Sequence, residues 1–338
     1  MTATPSIAII GAGLSGLACA QALASHDISS EVFDKARGPG GRLTSRRLPG
    51  AVVDLGAQYF TVREARFSDQ VAVWRKAGLV APWPQRLWRV EADGWQPHQD
   101  DQTRYSAVPR MSALTRSLAE GLNLHVQTRI TGLHQKADGW WLADDTGRAH
   151  GPYARVVVTV PTPQAEPLVA PHDPALAADC LAIVQQPCWA GHVVFDEPLP
   201  ALPGVDADWQ AAFVNVGPLA MISRNDTKPG RQSQDESLTL LASPEASTAW
   251  LEDDAETVAE RLFSAFETLY ARPLPKPRLI GAHRWRYAKP SGPISGPGYR
   301  LSARGIALCG DAFRSPRIEG AWLSGHGLGQ ALAAEIGH

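Results

Sequence analysis

The residues best placed to do chemistry open the chain: Gly11-Ala12-Gly13-Leu14-Ser15-Gly16, followed by Asp34. An apolar run over residues 6–10 precedes the glycines, and an Ala- and Leu-rich run over 14–25 follows them. A strand, a glycine turn and a helix in that order can hold a dinucleotide. Gly11 permits the tight turn, Gly13 lets backbone approach a pyrophosphate, and Gly16 lets the helix pack close to the sheet. The helix N-terminus then offers unpaired N–H groups and partial positive charge to the phosphates. Asp34 ends a second strand over 30–34, 23 residues after Gly11, where its carboxylate can accept from ribose hydroxyls. This fingerprint does not separate NAD from FAD. The following Gly40-Gly41-Arg42 does, because a guanidinium reached through two glycines can neutralise a diphosphate. Lys35, Arg37, Arg46 and Arg47 share that basic stretch, which taken alone also reads as solvated surface.

The elements that must position these groups are legible at both ends. Further strands are expected over 52–55, 123–133, 140–144, 155–160 and 305–309, with helices over 109–121 and 321–336. Between them lies a less regular region, with strands near 190–195, 211–215, 219–223 and 238–242 and a helix over 254–270. The polar stretch 225–237 reads as a surface loop. The fold expected is α/β: a discontinuous Rossmann-type dinucleotide domain (1–61, 109–164 and 279–338) with an inserted α+β substrate domain (62–108 and 165–278) on a mixed or antiparallel sheet. The 338 residues suit about two domains. Hydrophobic residues at 44% and charged residues at 20% are those of a globular chain with a large core.

Lys and Arg number 32 against 34 Asp and Glu, a formal net charge of −2, which favours neither nucleic acid nor an acidic membrane as partner. Four cysteines (Cys19, Cys180, Cys188 and Cys309) form no C-x-x-C pair, so reduced, mostly buried thiols and a cytoplasmic setting are expected. The uncharged opening residues lack the basic start of a signal peptide, and their glycines break any spanning helix. His98, His125, His134, His150 and His172 show no ligand spacing, so no metal is expected. Ser324 lies within a helix rather than at a strand-to-helix turn and is discounted as a nucleophile.

The fingerprint with Gly-Gly-Arg resembles the FAD-binding domain of flavin-containing amine oxidases. That resemblance implies that Ile130 meets the adenine through its backbone, that Gly310-Asp311 contacts diphosphate and ribityl chain, and that Arg317-Ile318-Glu319-Gly320-Ala321 lies under the flavin pyrimidine. A helix N-terminus there would suit the negative N1/O2 edge of reduced flavin. Within the superfamily, Asp54-Leu55-Gly56-Ala57-Gln58-Tyr59 and His283-Arg284-Trp285-Arg286 resemble the renalase family, especially its bacterial forms. Cofactor contacts are then expected at Gly11, Gly13, Leu14, Ser15, Gly16, Asp34, Lys35, Gly41, Arg42, Gly56, Ala57, Gln58, Tyr59, Ile130, Gly310, Asp311, Arg317, Ile318 and Ala321. No cysteine lies near 285–300 or 312–322, so the FAD is expected to be non-covalent.

Three departures separate the chain from an ordinary amine oxidase. Arg317 stands where an aromatic would flank the flavin, Ala190 stands where many such oxidases carry a lysine, and a thioether cysteine is missing. The resemblance implies oxidation of dihydro-NAD(P) isomers (2- or 6-dihydro forms) to NAD(P)+, with O2 reoxidising the flavin to give H2O2. A dihydropyridine is already a hydride donor, so stacking at about 3–3.5 Å suffices and no acid or base is nominated. Pocket candidates are Gln58, Tyr59, Phe60, Trp285, Arg286, Arg317 and Trp322. Tyr59, Trp285 and Trp322 offer stacking faces; Gln58, Arg286 and Arg317 could hold a carboxamide. His192 and His283 are expected to be structural. The rivals are an amine oxidase or desaturase of the same superfamily, and a non-catalytic flavin-binding redox sensor.

Overall fold

The computed structural model describes residues 7–232, 235–292 and 296–337. The opening strand is Ile7–Ile10, buried throughout; Ser6, expected in it, lies outside the described residues. It is central to a six-stranded sheet in the order Asn123–His125, Ser30–Phe33, Ile7–Ile10, Arg155–Val158, Ile306–Cys309 and Tyr299–Leu301. The first five run parallel, with Ile7 opposite both Ser30 and Arg155 and Val156 opposite Ile306. Only the edge strand Tyr299–Leu301 is antiparallel. Near-continuous apolar runs are what a sheet covered on both faces requires.

The helices Leu14–Ala24 and Ile318–Ile336 cover one face together. Their contact depends on glycine. A Cβ on Gly325 would sit 1.9 Å from the Ser15 carbonyl oxygen, and one on Gly329 would sit 2.6 Å from the Ala22 Cβ. Backbones can meet this closely only where side chains are absent. The chain ends are thereby held as one body around the glycine turn. On the other face, the antiparallel strands Ile130–Lys136, Gly139–Asp144 and Ala149–Tyr153 form a separate sheet near Thr162–Val169 and Pro174–Leu181.

The single strand expected over 123–133 is two. His125 ends in the parallel sheet, Gln127 takes φ +53°, and Ile130 starts the antiparallel sheet. The break places the Gln127 N–H on the Ala36 carbonyl and the Asp34 N–H on that of His125, wrapping the turn around the ribose acid.

A seven-stranded sheet, in the order Leu279–Ser291, Val184–Phe195, Glu236–Ala242, Leu219–Arg224, Ala211–Val214, Leu87–Glu91 and Gly94–Pro97, forms the second layer. It is antiparallel except where Ala211–Val214 runs parallel to Leu87–Glu91. The helix Ala255–Tyr270 covers one face with Val258, Leu262, Phe266 and Tyr270, at four-residue spacing, and Asp254 caps its N-terminus by accepting from the Thr257 N–H. Two expected boundaries change. Leu279–Ser291, assigned to the dinucleotide domain, pairs along Val184–Phe195 in this sheet. Ala65–Lys76, assigned to the substrate domain, packs Phe67 and Trp74 against Trp322 of the last helix. The loop expected on the surface over 225–237 also differs: Asn225 and Lys228 are fully enclosed, because their polar groups find partners in the other layer.

Candidate active site

The glycine turn fits a pyrophosphate. A Cβ on Gly13 would meet nothing within 4 Å, so space is open above it, whereas one on Gly16 would strike the Gly11 carbonyl at 2.0 Å. One glycine leaves room for a ligand and the other for the helix. Asp34 accepts from the Ala12 N–H at 2.7 Å and the Ala36 N–H at 2.8 Å, which fixes its carboxylate beside the turn. Ser15 donates to the Ala321 carbonyl at 2.9 Å, tying the first helix to the start of the last. Leu14 is buried beside it. Lys35 is exposed, 3.4 Å from the Gln164 Oε1, and Ile130 is buried in the cluster that holds Phe33.

Arg42 reaches from the glycine-rich stretch to the opposite end of the chain. It makes a bidentate pair with Asp311 at 2.9 and 2.5 Å and donates to the Ala288 carbonyl at 2.9 Å. Gly310, at φ +156°, lets the strand turn there; its N–H is held by Ser324, which is structural as expected. A cavity of about 280 Å³ adjoins this pair, lined by Asp311, Ala312, Pro316, Gln186, Lys289 and Ser291 among others. A guanidinium opposite open glycine backbone, with a buried carboxylate at hand, is a donor set for a diphosphate and its polyol chain. Arg42→Ala is expected to weaken FAD retention by about 1.5–3 kcal/mol, one charge-assisted contact. The FAD-to-protein ratio after gel filtration measures this, and an unchanged ratio would remove Arg42 from the cradle.

The segment 54–59 packs against the backbone of Arg42. The Ala57 N–H donates to the Arg42 carbonyl, and a Cβ on Gly56 would lie 1.8 Å from that same oxygen. Trp285 Nε1 donates to the Leu55 carbonyl at 2.6 Å, so its strand face looks onto this turn. His283 packs edge-on against Trp285 at 4.5 Å. Arg286, on the opposite face, forms a bidentate pair with Glu252 at 2.6 and 2.9 Å, and Arg284 reaches the same carboxylate. Arg286 is therefore not a pocket residue, since successive strand residues point to opposite faces. Trp322 stacks on His326 at 4.5 Å within the helical core, and Phe60 packs between Phe67, Trp74 and Tyr105. Both are core residues. Gln58 is buried, with Nε2 given to the Asp54 and Gly56 carbonyls and Oε1 taken by Lys228, so it cannot hold a carboxamide. Tyr59 remains part-exposed near Phe213, with the Arg104 guanidinium 5.6 Å above its ring.

Arg317 N-caps the last helix by position, is exposed, and makes no ion pair among the described residues. Its neighbour Arg314 is paired with Glu64. Ile318 is buried, and Glu319 accepts from the Arg63 and Glu64 N–H groups at 2.7 and 2.8 Å, anchoring this segment. Ala190 is fully buried, and its strand carries no lysine. Burial pushes His192 down to about 4 and lowers His283 as well, Arg46 adding to both, so His192 is neutral at physiological pH and no proton shuttle. The four cysteines are free thiols, and burial pushes Cys180 up to about 12 and Cys188 up to about 11. Neither is a nucleophile at neutral pH. Among the described residues no His, Cys, Asp or Glu cluster could hold a metal, and no helix is long and apolar enough to cross a membrane.

The residue group that sequence reasoning missed is centred on Asp54. It accepts from Lys228 at 2.8 Å, Arg231 at 2.6 Å and Ser45 at 2.5 Å, all without solvent access to the carboxylate. Burial alone would raise this carboxyl, but Lys228 and Arg231 together hold it below its ordinary value. Lys228 is pushed down to about 8 by burial, because one carboxylate must serve two buried cations.

Comparison with known proteins places the chain in a family. A model of NAD(P)-binding Rossmann-like domains matches residues 9–72, and one of flavin containing amine oxidoreductases matches residues 83–328. The chain belongs to the flavin containing amine oxidoreductase family. The family's cofactor is FAD, and the cradle fits that group. A hydroxyneurosporene desaturase of Rubrivivax gelatinosus is 38% identical over 60 residues, 18% of this chain and 11% of that protein. A zeta-carotene-forming phytoene desaturase of Myxococcus xanthus is 44% identical over 50 residues, 15% and 10% of the respective chains. The matched stretches thus span about a tenth of those relatives' length. A putative protoporphyrinogen oxidase from Exiguobacterium superposes with TM-score 0.77 at 14% identity, covering 99% and 100% of the two chains. Cyclohexylamine oxidase from Brevibacterium oxydans does so with TM-score 0.77 at 13% identity and the same coverage. These solved structures share the fold.

Proposed function

We propose that this protein is an FAD-dependent oxidase of dihydro-NAD(P) isomers reduced at ring positions 2 or 6, releasing NAD(P)+. Bound FAD supplies the two-electron acceptor; the substrate loses a hydride, and O2 gains two electrons and two protons to leave as H2O2. One observation carries the reading: at the start of the last helix Arg317 is exposed and makes no ion pair among the described residues, whereas its neighbour Arg314 is paired with Glu64. A free cation there repels a protonated amine and attracts an anionic dinucleotide. The chain's residues bind, orient and exclude water. Tyr59 and Phe213 offer aromatic surface to a flat ring, and Trp285 braces the turn beneath. Oxidation to an aromatic pyridinium requires no general base.

A desaturase or amine oxidase would instead bring an apolar substrate to the partly exposed Tyr59, Phe213 and Leu241, which pack on the buried Trp83, Leu87, Ala211 and Met221. One experiment separates the readings. The FAD-loaded protein is mixed anaerobically with partly isomerised NADH and, separately, with amines, and flavin bleaching is followed. Rapid bleaching by the isomers is expected. Bleaching by amines alone would reject the proposal, and no bleaching by either would leave a redox sensor.

A further inference from the structure

The loop between the strands Leu219–Arg224 and Glu236–Ala242 sends Lys228 across the two layers into the buried turn at 54–58. All three ammonium protons have acceptors there: Asp54 Oδ2 at 2.8 Å, Gln58 Oε1 at 3.1 Å and the Gln58 carbonyl at 3.2 Å. Two of the three are on Gln58. The Trp83 ring closes the far side, with its centroid 4.6 Å from Nζ. With its oxygen held by Lys228, the Gln58 amide can point only its NH2 inward, to the Asp54 carbonyl at 2.7 Å and the Gly56 carbonyl at 2.9 Å. The side chain is spent on folding 54–58 into one turn. That turn abuts the Arg42 carbonyl, through the Ala57 N–H and the side-chain-free Gly56.

We propose that Lys228 is a positioning residue for the flavin: through Gln58 it presets the 54–59 turn and hence the backbone of Arg42. This rests on the family's FAD and not on the dihydropyridine substrate. Arg231 supplies the comparison. It pairs with the same Asp54 oxygen and with the Val52 carbonyl, but makes no bond to Gln58. Because the cluster holds two cations and one carboxylate, removing either cation leaves a neutral pair, so neither change strands a buried charge. Lys228→Met and Arg231→Met thus remove the same charge and differ in whether Gln58 is held.

The experiment uses the full chain with FAD as the probe, reading the FAD dissociation constant by fluorescence, the visible flavin bands and the flavin midpoint potential. Lys228→Met is expected to weaken FAD about tenfold, because the 54–59 turn and the Arg42 backbone behind it are no longer held in place before binding, and to shift bands and potential. Gln58→Leu should reproduce those changes and the double variant should add nothing, while Arg231→Met keeps the wild-type values. Wild-type affinity, bands and potential in Lys228→Met would overturn the proposal, as would equal changes in Arg231→Met, which would assign the effect to charge. Should Lys228→Met fail to fold, Gln58→Leu, which leaves both ion pairs whole, decides alone. A shifted flavin there supports the positioning role and an unchanged one rejects it. Failure of the wild type itself to bind FAD would instead refute the cofactor assignment.

Discussion

Asp54→Asn is expected to cost about 3–5 kcal/mol of stability, the price of stranding buried charge. Lys228 and Arg231 both lie on this carboxylate, and neither can reach water. The asparagine fills the same space, but it loses the charge and turns an NH2 toward groups that donate, either Lys228 and Arg231 on one oxygen's side or Ser45 and the Met111 N–H on the other. Against a typical 5–15 kcal/mol for a folded domain, that is enough to move a urea midpoint far to the left. The pH dependence has a definite sign. The folded-state pKa of Asp54 is lowered, so its stabilisation is complete above the unfolded carboxyl pKa of about 3.9 and is lost as pH falls through the folded value. The variant should therefore lose stability at neutral pH and differ less from the wild type in strong acid. An unchanged urea midpoint at pH 7 would mean that the two cations do not depend on Asp54.

Gly325→Val should have a comparable effect through shape. Any Cβ at this position overlaps backbone, the Ser15 carbonyl, which cannot turn aside as a side chain would. The first and last helices must part, at a cost at the upper end of overpacking, about 3 kcal/mol. Both helix N-termini move with them, one beneath the glycine turn and one beginning at Ile318. Thermal stability and FAD content are thus expected to fall together. Gly13→Val is the informative partner. Gly13 has φ −74°, ordinary for any residue, and open space at its Cβ. Its melting temperature without FAD should stay near that of the wild type while its FAD content falls. Loss of the fold in Gly13→Val, or normal FAD binding, would show that the space above Gly13 does not receive the pyrophosphate.

These variants mark how far local reading reached. The glycine turn, Asp34 and the strands and helices around them follow from spacing along a short stretch, since each glycine meets a constraint set by its immediate neighbours. The helices over 14–24, 255–270 and 318–336 were legible for the same reason. The single strand expected over 123–133 was not, because its break depends on Gln127 adopting a left-handed turn to reach the Ala36 carbonyl. Alternation along 283–287 did indicate that only one face of that strand could see the flavin. It could not choose the face. Glu252, 34 residues from Arg286, made that choice by claiming the guanidinium.

Lys228 shows the limit most clearly. In the sequence it is one lysine in a polar Gly/Pro loop, and nothing periodic marks it as enclosed. Its partner lies 174 residues earlier. The sequence by itself determined the dinucleotide turn and the apolar strands and helices around it, because backbone sterics and hydrophobic periodicity act over a few residues. Tertiary structure alone decided which charged groups meet and which aromatic rings are core. Those outcomes depend on which distant surfaces come together and on whether a buried charge finds its counter-charge once they do.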